Sequence, residues 1–196
     1  MENAKIADKL VKLLDLRHEP VAVKVIKKGE KIPEGFNEPE KNIRHCQSIM
    51  RARKGESFVI CSDAAANMIC QRSEFEEEST IATVVGPLKE FKTKPDVVIL
   101  VDLPETLYWL IPAATYFEGG RQAFSTAAFQ ATCVDSTIIP ITSGEMNMSL
   151  GCYGCRRSTD IENDEMIAGI PYNNLEKIIE ALEKISDGPM QKARQK

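Results

Sequence analysis

The segment "PDVVILVDLP", residues 95–104, limits the possible folds more than any other stretch of the chain. Its central residues, 97–101, are all apolar, so a strand formed by them has no polar face to turn towards water. Strands of this kind belong to sheets that are covered by helices on both sides. We therefore predict an α/β or α+β fold with a mixed sheet flanked by helices.

Further strands and two amphipathic helices agree with such a sheet. "VAVKVI" and "ATVV" are rich in β-branched residues, as strands are. Both ends of the chain place apolar residues on one helical face. These residues are Ile6, Leu10, Leu13 and Leu14 near the N-terminus, and Leu175, Ile178, Ile179, Leu182 and Ile185 near the C-terminus. Since no linker or repeat divides the chain, we expect residues 1–196 to form a single domain.

The middle of the chain predicts shorter elements. Residues 105–120 favour a helix bent at Pro112, and the following apolar segment favours a helix that carries Cys133 and ends before Pro140. "EMNMSL" alternates as a strand does, with Met146, Met148 and Leu150 on one face. That strand leads directly into a loop with two cysteines.

Charge and composition exclude several classes of function. The chain of 196 residues carries a net charge of -4, which does not favour nucleic acid or anionic lipid. The N-terminus lacks a signal-peptide pattern, and the apolar runs are shorter than the roughly 20 residues that cross a bilayer. We expect a cytoplasmic protein without a membrane or nucleic-acid partner. A chain of this length buries roughly 70% of its unfolded surface, so its core needs no metal or disulfide.

Cysteine usage is high for a cytoplasmic chain. The six cysteines are Cys46, Cys61, Cys70, Cys133, Cys152 and Cys155. Thiols stay reduced in the cytoplasm, so metal binding, redox chemistry or catalysis is a better explanation than a disulfide framework. Some of the six are expected to be small buried hydrophobic side chains and nothing more.

The loop "SLGCYGCRRS" is the candidate site. Gly151 and Gly154 permit a tight backbone, and the adjacent arginines, Arg156 and Arg157, favour thiolates by lowering their pKa. An iron–sulfur cluster of the 4Fe–4S type takes four ligands, usually thiolates. The loop therefore has to recruit two further cysteines, and the candidates are Cys46, Cys61, Cys70 and Cys133.

Two other chemistries remain open. A structural zinc site usually shows two closely spaced cysteine pairs, and this chain has one. A thioredoxin-like thiol pair opens a helix after a strand, whereas "RRSTDIENDE", which follows the pair, is a poor helix start. We therefore favour an iron–sulfur cluster over zinc and over a thiol redox pair.

Several other polar residues can be interpreted either as functional residues or as ordinary surface residues. His45 could be a ligand or a proton donor, but a histidine in a basic helix is more often a surface residue. Asp164 and Glu165 could do acid–base work or only balance the neighbouring arginines. Arg44, Arg51, Arg53 and Lys54 could bind an anion or form a solvated helix end. His18 receives no role.

The order of several motifs resembles a known family. The motifs are "PVAVKVI", "CQSIMRARKG", "GPLKEFKTKPDVVILVDLP", "CVDSTIIP" and "NMSLGCYGCRRS…DEMIAGIP", the last followed by a helix. Together they resemble the archaeal and anaerobic-bacterial family called domain of unknown function 169, or archaeal conserved region. The resemblance covers about Pro20 to Leu182 and is most specific from Asn147 to Pro171.

The resemblance implies a ligand set. Cys46, Cys133, Cys152, Gly154 and Arg156 look like family positions, and an anaerobe's protein suits an oxygen-sensitive cofactor. Cys155 departs from the family pattern. The resemblance therefore implies ligation by Cys46, Cys133 and Cys152, with Cys70 or Cys61 as the fourth ligand and Cys155 as a neighbour.

These observations together predict an iron–sulfur protein. The candidate metal ligands are Cys46, Cys70, Cys133, Cys152 and Cys155. We expect electron transfer with a redox partner, or an anaerobic enzyme whose small anionic ligand binds Arg156 and Arg157. The alternatives are a non-enzymatic metal- or redox-sensing module and a zinc site. A homo-oligomer is compatible with the sequence.

Overall fold

A single sheet between two layers of helices organises the chain. The computed structural model describes residues 1–41, 43–60, 80–126 and 131–194. Its strands are β1 (Val21–Lys27), β2 (Phe58–Ile60), β3 (Thr80–Pro87), β4 (Val97–Asp102), β5 (Asn147–Ser149) and β6 (Met166–Pro171). Its α-helices are α1 (Asn3–Leu14), α2 (His45–Ala52), α3 (Pro104–Leu107), α4 (Leu110–Ala114), α5 (Ile139–Ser143), α6 (Tyr153–Ser158), α7 (Leu175–Ile185) and α8 (Gln191–Arg194). The predicted α/β class and helix-flanked sheet are confirmed.

The six strands lie in the order β2-β3-β1-β4-β6-β5. Every neighbouring pair of these strands is antiparallel, and only an isolated bridge between Asn37 and Phe58 is parallel. The sheet is thus more uniformly antiparallel than the mixed sheet that we expected. The apolar pattern of β4 could not distinguish the two, because helices cover this antiparallel sheet on both faces just as they cover parallel sheets.

The two faces of the sheet receive alternate residues of each strand. The first, which we call the apolar face, packs on α1 and α7 and includes Ala22, Ile26, Val84, Val98, Leu100 and Ile170. The second, which we call the cysteine face, packs on α2 and α6 and includes Val21, Val23, Val85, Ile99, Val101, Ile167, Cys46 and Cys155. All six residues of β4 are buried, as its sequence predicts.

The terminal helices close the apolar face. In α1, Ile6, Leu10 and Leu14 are buried, and Leu13 is half-buried. In α7 the buried side chains are Leu175, Ile178, Ile179, Ala181, Leu182 and Ile185. The predicted packing of both helices on the sheet is confirmed, and it buries large apolar side chains that stabilise the fold.

The middle segments differ from the expectations in three places. The first expected helix is two short ones, α3 and α4, and Pro112 lies in the first turn of α4, where no backbone hydrogen bond is lost. The second helix does not end before Pro140. A π-helical segment, Val134–Ile138, continues into α5, whose first turn contains Pro140.

The third difference is at Leu150. This side chain is 58% exposed, because β5 ends at Ser149 and Gly151 turns the chain with a φ of 80°. Met146 and Met148 are buried on the apolar face as expected. None of the helices in the described ranges combines the length and apolar composition that crossing a membrane requires.

Candidate functional site

Four cysteines meet between the π-helical segment, α2 and α6. Cys46 is the second residue of α2, and Cys133 directly precedes the π-helical segment. Cys152 is the N-cap of α6 and Cys155 lies inside that helix. The thiols of Cys133, Cys152 and Cys155 are close enough to help raise the pKa of Cys46, and none of the four cysteines is in a disulfide. The structure therefore brings together four of the five predicted metal ligands; the fifth, Cys70, lies outside the described residues, as does Cys61.

The four thiols differ in depth. Cys155 is completely buried and Cys46 is 7% exposed, and both belong to the apolar cluster of the cysteine face. Cys133 and Cys152 are half-buried. The site thus has an inner pair of thiols in apolar surroundings and an outer pair close to solvent.

The loop before α6 is fixed by hydrogen bonds to its backbone. The Gly151 N–H donates to Ser149 Oγ at 3.2 Å, and the Cys152 N–H donates to Thr132 Oγ1 at 2.8 Å. The Cys155 N–H donates to Cys152 Sγ at 3.3 Å, so the thiol sulfur takes the place of the usual oxygen cap. The pair does open a helix after a strand, and the sequence argument that it would not do so is wrong.

The two thiols of the inner pair, Cys46 and Cys155, have pKa values that are shifted in opposite directions. The hydrogen bond to Cys155, burial and the neighbouring thiols raise the pKa of Cys46. The hydrogen bond from Cys46 lowers the pKa of Cys155 to about 7 despite burial, with help from Thr159, Thr132 and Arg156. Of these two thiols, Cys46 therefore keeps its proton, and Cys155 ionises first.

Arg156 holds the loop through its backbone. Its guanidinium donates to the carbonyl oxygens of Leu150 at 2.8 Å, Glu162 at 3.1 Å and Glu165 at 2.9 Å. Most of its donors are therefore occupied by main-chain oxygens, which carry no net charge. The positive charge still acts on Cys155, so Arg156 favours a thiolate there, while the predicted binding of an anionic ligand stays a prediction.

Arg157 and Arg44 lie at the surface of the site. Arg157 donates to the hydroxyl of Tyr153 at 3.1 Å, with its guanidinium 5.9 Å from the centre of that ring. Arg44 is the N-cap of α2, and its backbone N–H donates to Gln47 Oε1 at 2.8 Å. Its Nη1 lies 3.2 Å from the point where a Cβ on Gly154 would stand. Both charges are thus close to the cysteine loop and free to face a partner or ligand.

A network of ion pairs centred on the buried Glu165 lies next to the cysteine loop, and the sequence did not predict it. Arg53 Nη1 donates to both carboxylate oxygens of Glu165 at 2.9 Å. Arg17 donates to the same carboxylate at 3.0 Å and to Asp102 at 3.1 Å. His18 Nε2 lies 3.4 Å from Glu165. Glu165 is therefore an anchor for the buried Arg53 and the more exposed Arg17, and its carboxylate is not free for acid–base work.

The pKa of Glu165 reflects this network. Burial alone would raise it, but the Glu162 N–H and the two arginines lower it overall. Burial is also the largest reason why the pKa of His18 is lowered. The carboxylate is thus ionised and His18 is neutral near pH 7.

His45 is buried, contrary to the expectation of a surface residue. It is 1% exposed, and its Nε2 lies 2.9 Å from Thr137 Oγ1 in the π-helical segment. Burial lowers its pKa to about 4, so the ring is neutral at pH 7. Among the described residues no hydrogen-bond partner reaches its Nδ1. His45 therefore fixes α2 to the segment that carries Cys133.

Comparison with known proteins now identifies the family. The sequence profile of DUF169, described as "Uncharacterised ArCR", matches residues 9–64 and 60–181. The chain belongs to the DUF169 family. The match confirms the resemblance drawn from the motifs and extends it towards the N-terminus, into α1.

One relative covers almost the whole chain. The DUF169 chain is 29% identical over 219 aligned positions to the uncharacterized protein MJ0308 of Methanocaldococcus jannaschii, with 93% of each protein covered. No solved structure matches the chain. The DUF169 match thus covers the sheet and the cysteine loop, and it begins inside α1 and ends inside α7.

Proposed function

We propose that this DUF169 protein carries electrons on an iron–sulfur cluster of the 4Fe–4S type held by Cys46, Cys133, Cys152 and Cys155. The observation that carries the proposal is the meeting of four cysteine thiols, none of them in a disulfide, from three separate segments of the chain. Four cysteine thiolates are the usual ligand set of such clusters. When bound, the cluster would supply one-electron chemistry.

The cysteine pattern favours a cluster over a single zinc ion. A structural zinc usually takes two closely spaced cysteine pairs, with sulfurs about 2.3 Å from the ion, and the chain has one such pair. A 4Fe–4S cluster would take its four thiolates from one close pair and two cysteines of separate segments, as this site offers. Binding of either group would require the Cys46 proton to leave.

The surroundings of the four thiols also suit electron transfer. Cys46 and Cys155 lie in apolar surroundings, whereas Cys152 and Cys133 are half-buried and give the site an outward side. The Cys155 N–H donates to Cys152 Sγ at 3.3 Å. Hydrogen bonds to sulfur and limited solvent access both tune the potential of a cluster. The same surroundings would keep water from the inner ligands.

Single replacements of the six cysteines by serine test the proposal. The wild-type protein, purified and reconstituted without oxygen, should bind iron and sulfide in equal amounts, about four of each per chain. Replacement of Cys46, Cys133, Cys152 or Cys155 should remove most of both, with the far-ultraviolet circular dichroism unchanged. Cys61→Ser and Cys70→Ser serve as matched controls and should retain the cluster.

Two outcomes would overturn this assignment. Wild-type protein that binds no sulfide, or full cluster content in Cys46→Ser and Cys155→Ser, is incompatible with a cluster on these four thiols. Loss in Cys70→Ser with retention in Cys155→Ser would restore the ligand set that the family resemblance implies.

A second candidate is thiol–disulfide chemistry between Cys46 and Cys155. The observation in its favour is their hydrogen bond, which lowers the pKa of Cys155 to about 7. Formation of an S–S bond between them would release two protons and pass two electrons to a low-molecular-weight disulfide, which is reduced to two thiols. Treatment of metal-free protein with glutathione disulfide, followed by peptide mapping, tests this candidate. A stable Cys46–Cys155 bridge would support it, and four unchanged thiols would contradict it.

A further inference from the structure

Large apolar side chains are exposed next to Cys152, one of the two half-buried cysteines. Leu150 and Tyr153, on either side of Gly151 and Cys152, are 58% and 74% exposed. Phe124 is 40% exposed in a segment that runs beside β5, where the Ser125 N–H donates to Asn147 Oδ1 at 2.9 Å. Exposed apolar residues grouped in this way mark interaction surfaces more often than scattered ones do.

The charge next to these side chains is positive. Arg44 and Arg157 have no carboxylate within ion-pair distance in the part of the chain that the structure describes. Arg156 is likewise bound to carbonyl oxygens. By contrast, Arg17, Arg51 and Arg53 each pair with carboxylates. Two exposed arginines without a carboxylate partner thus lie beside the cysteine loop of a protein whose net charge is -4, while the exposed carboxylates of Glu162 and Asp164 lie on the side that Arg156 contacts.

We propose that this surface, the cysteine rim (Phe124, Leu150, Tyr153, Arg44 and Arg157), docks a small acidic electron-carrier protein over Cys152. The proposal rests on the proposed function, since the rim lies beside Cys152, one of the two half-buried cysteines that would hold the cluster. Aromatic residues and arginine are the residue types enriched in protein interfaces. Charge complementarity selects an acidic partner and speeds its arrival, and a small interface lets it leave again.

The electron balance of the encounter is simple. A reduced cluster held by Cys46, Cys133, Cys152 and Cys155 would supply one electron, and the oxidised flavin or cluster of the carrier would accept it. No bond forms between the two proteins, so the rim needs only to bring the carrier close to Cys152. Oxidised flavodoxin, an acidic FMN protein, is a suitable probe, and basic cytochrome c is the mismatched control.

Stopped-flow reduction of flavodoxin by the dithionite-reduced, desalted holoprotein tests the rim. The second-order rate constant should fall with added salt and should fall about tenfold or more in Arg44→Glu/Arg157→Glu. Leu150→Ser/Tyr153→Ser should slow it at every salt concentration. Lys92→Glu, an exposed charge that precedes β4 at the opposite end of the sheet, is the matched control and should leave the rate unchanged.

Iron and sulfide analysis of each variant separates the two proposals. Wild-type rates in both rim variants, with clusters intact, would overturn the docking proposal and leave the cluster standing. A flavodoxin rate that does not fall with added salt, or an Arg44→Glu/Arg157→Glu variant that slows cytochrome c as much as flavodoxin, would also overturn it. If the rim variants abolish a dimer seen by sedimentation, the occupant is a second copy of the chain and an acidic carrier is excluded. Wild-type protein without cluster would refute the proposed function, and the docking proposal would fall with it.

Discussion

The two faces of the sheet are built from the same strands but from different chemistry. On the apolar face, α1 and α7 cover a cluster made of aliphatic and aromatic side chains and methionines. On the cysteine face, the helices also bury His45, Arg53, Glu165 and the thiols of Cys46 and Cys155. Burial of polar and charged groups costs free energy unless each one finds a partner. The apolar face therefore stabilises the fold, and the cysteine face uses part of that stability to position reactive groups.

The largest effect is expected where the cysteine face buries charge. Glu165→Gln leaves Arg53 without its carboxylate and should lower the free energy of unfolding by about 3–5 kcal/mol. Urea denaturation measures it. Glu162→Gln, whose side chain is 59% exposed in its pair with Arg17, is the control and should cost less than about 1 kcal/mol. Equal effects in the two variants would contradict a buried anchor.

The same carboxylate gives a pH dependence of defined sign. Because the folded pKa of Glu165 is lowered, its contribution is fully present above the unfolded value of about 4.3 and is lost as the pH falls through the folded value. Between about pH 5 and 3 the wild type should therefore lose more stability than Glu165→Gln does. Parallel pH profiles of the two proteins would show that the network does not stabilise the carboxylate.

A cavity in the apolar face should lower the free energy of unfolding without changing the pKa values of the thiols. Leu182 is completely buried in α7, and Leu182→Ala should cost about 2–5 kcal/mol. Lys184→Ala, on the exposed side of the same helix, is the control. The thiolate absorbance titration of Leu182→Ala should match that of the wild type. A shifted titration would mean that the two faces are coupled.

A substitution at Gly169, in β6, tests the close contact between the π-helical segment and the sheet. A Cβ at Gly169 would stand 2.0 Å from the backbone oxygen of Ser136, so Gly169→Ala has to push the segment away and should cost about 1–3 kcal/mol. Gly188→Ala meets no atom within 4 Å and is the control. Thermal unfolding measures both. If Gly169→Ala were as stable as the control, this close approach would be wrong.

The smallest expected effect is a change in the pKa of the Cys155 thiol. In metal-free protein, a thiolate absorbance step should appear near pH 7 and should disappear in Cys155→Ala. Cys46→Ala removes the largest cause of the lowered pKa, so the step should move up towards the ordinary value of about 8.5. An unchanged midpoint in Cys46→Ala would show that Cys46 does not donate to Cys155.

The sequence predicts the apolar face better than the cysteine face, for a physical reason. Helical periodicity alone places Leu10, Leu14, Ile178 and Leu182, because their burial follows from a repeat within each helix. The pairing of Arg53 with Glu165 joins residues 112 positions apart and has no local pattern. Such partners appear only when the sheet brings the segments together.

Within the site, the helix start at Cys152 and the burial of His45, which the sequence did not predict, also depend on residues distant in the sequence. "RRSTDIENDE" is a weak helix start by its side chains, but α6 begins because Cys152 Sγ accepts the Cys155 N–H and Thr132 Oγ1 accepts the Cys152 N–H. His45 is buried because Thr137 contacts it from the π-helical segment. The sequence alone shows the spacing of Cys152 and Cys155. It does not show the hydrogen bonds that cap α6 or the side chain that contacts His45.

X-ray absorption at the iron K edge tests most directly whether the four thiols of the cysteine face hold one cluster. Wild-type protein reconstituted without oxygen should show iron surrounded by sulfur, with a second shell of neighbouring iron atoms, and Cys155→Ser should lose both shells. A sulfur shell without iron neighbours would indicate a single ion. A shell of oxygen and nitrogen would indicate iron bound elsewhere on the protein, and either result would contradict a cluster held by Cys46, Cys133, Cys152 and Cys155.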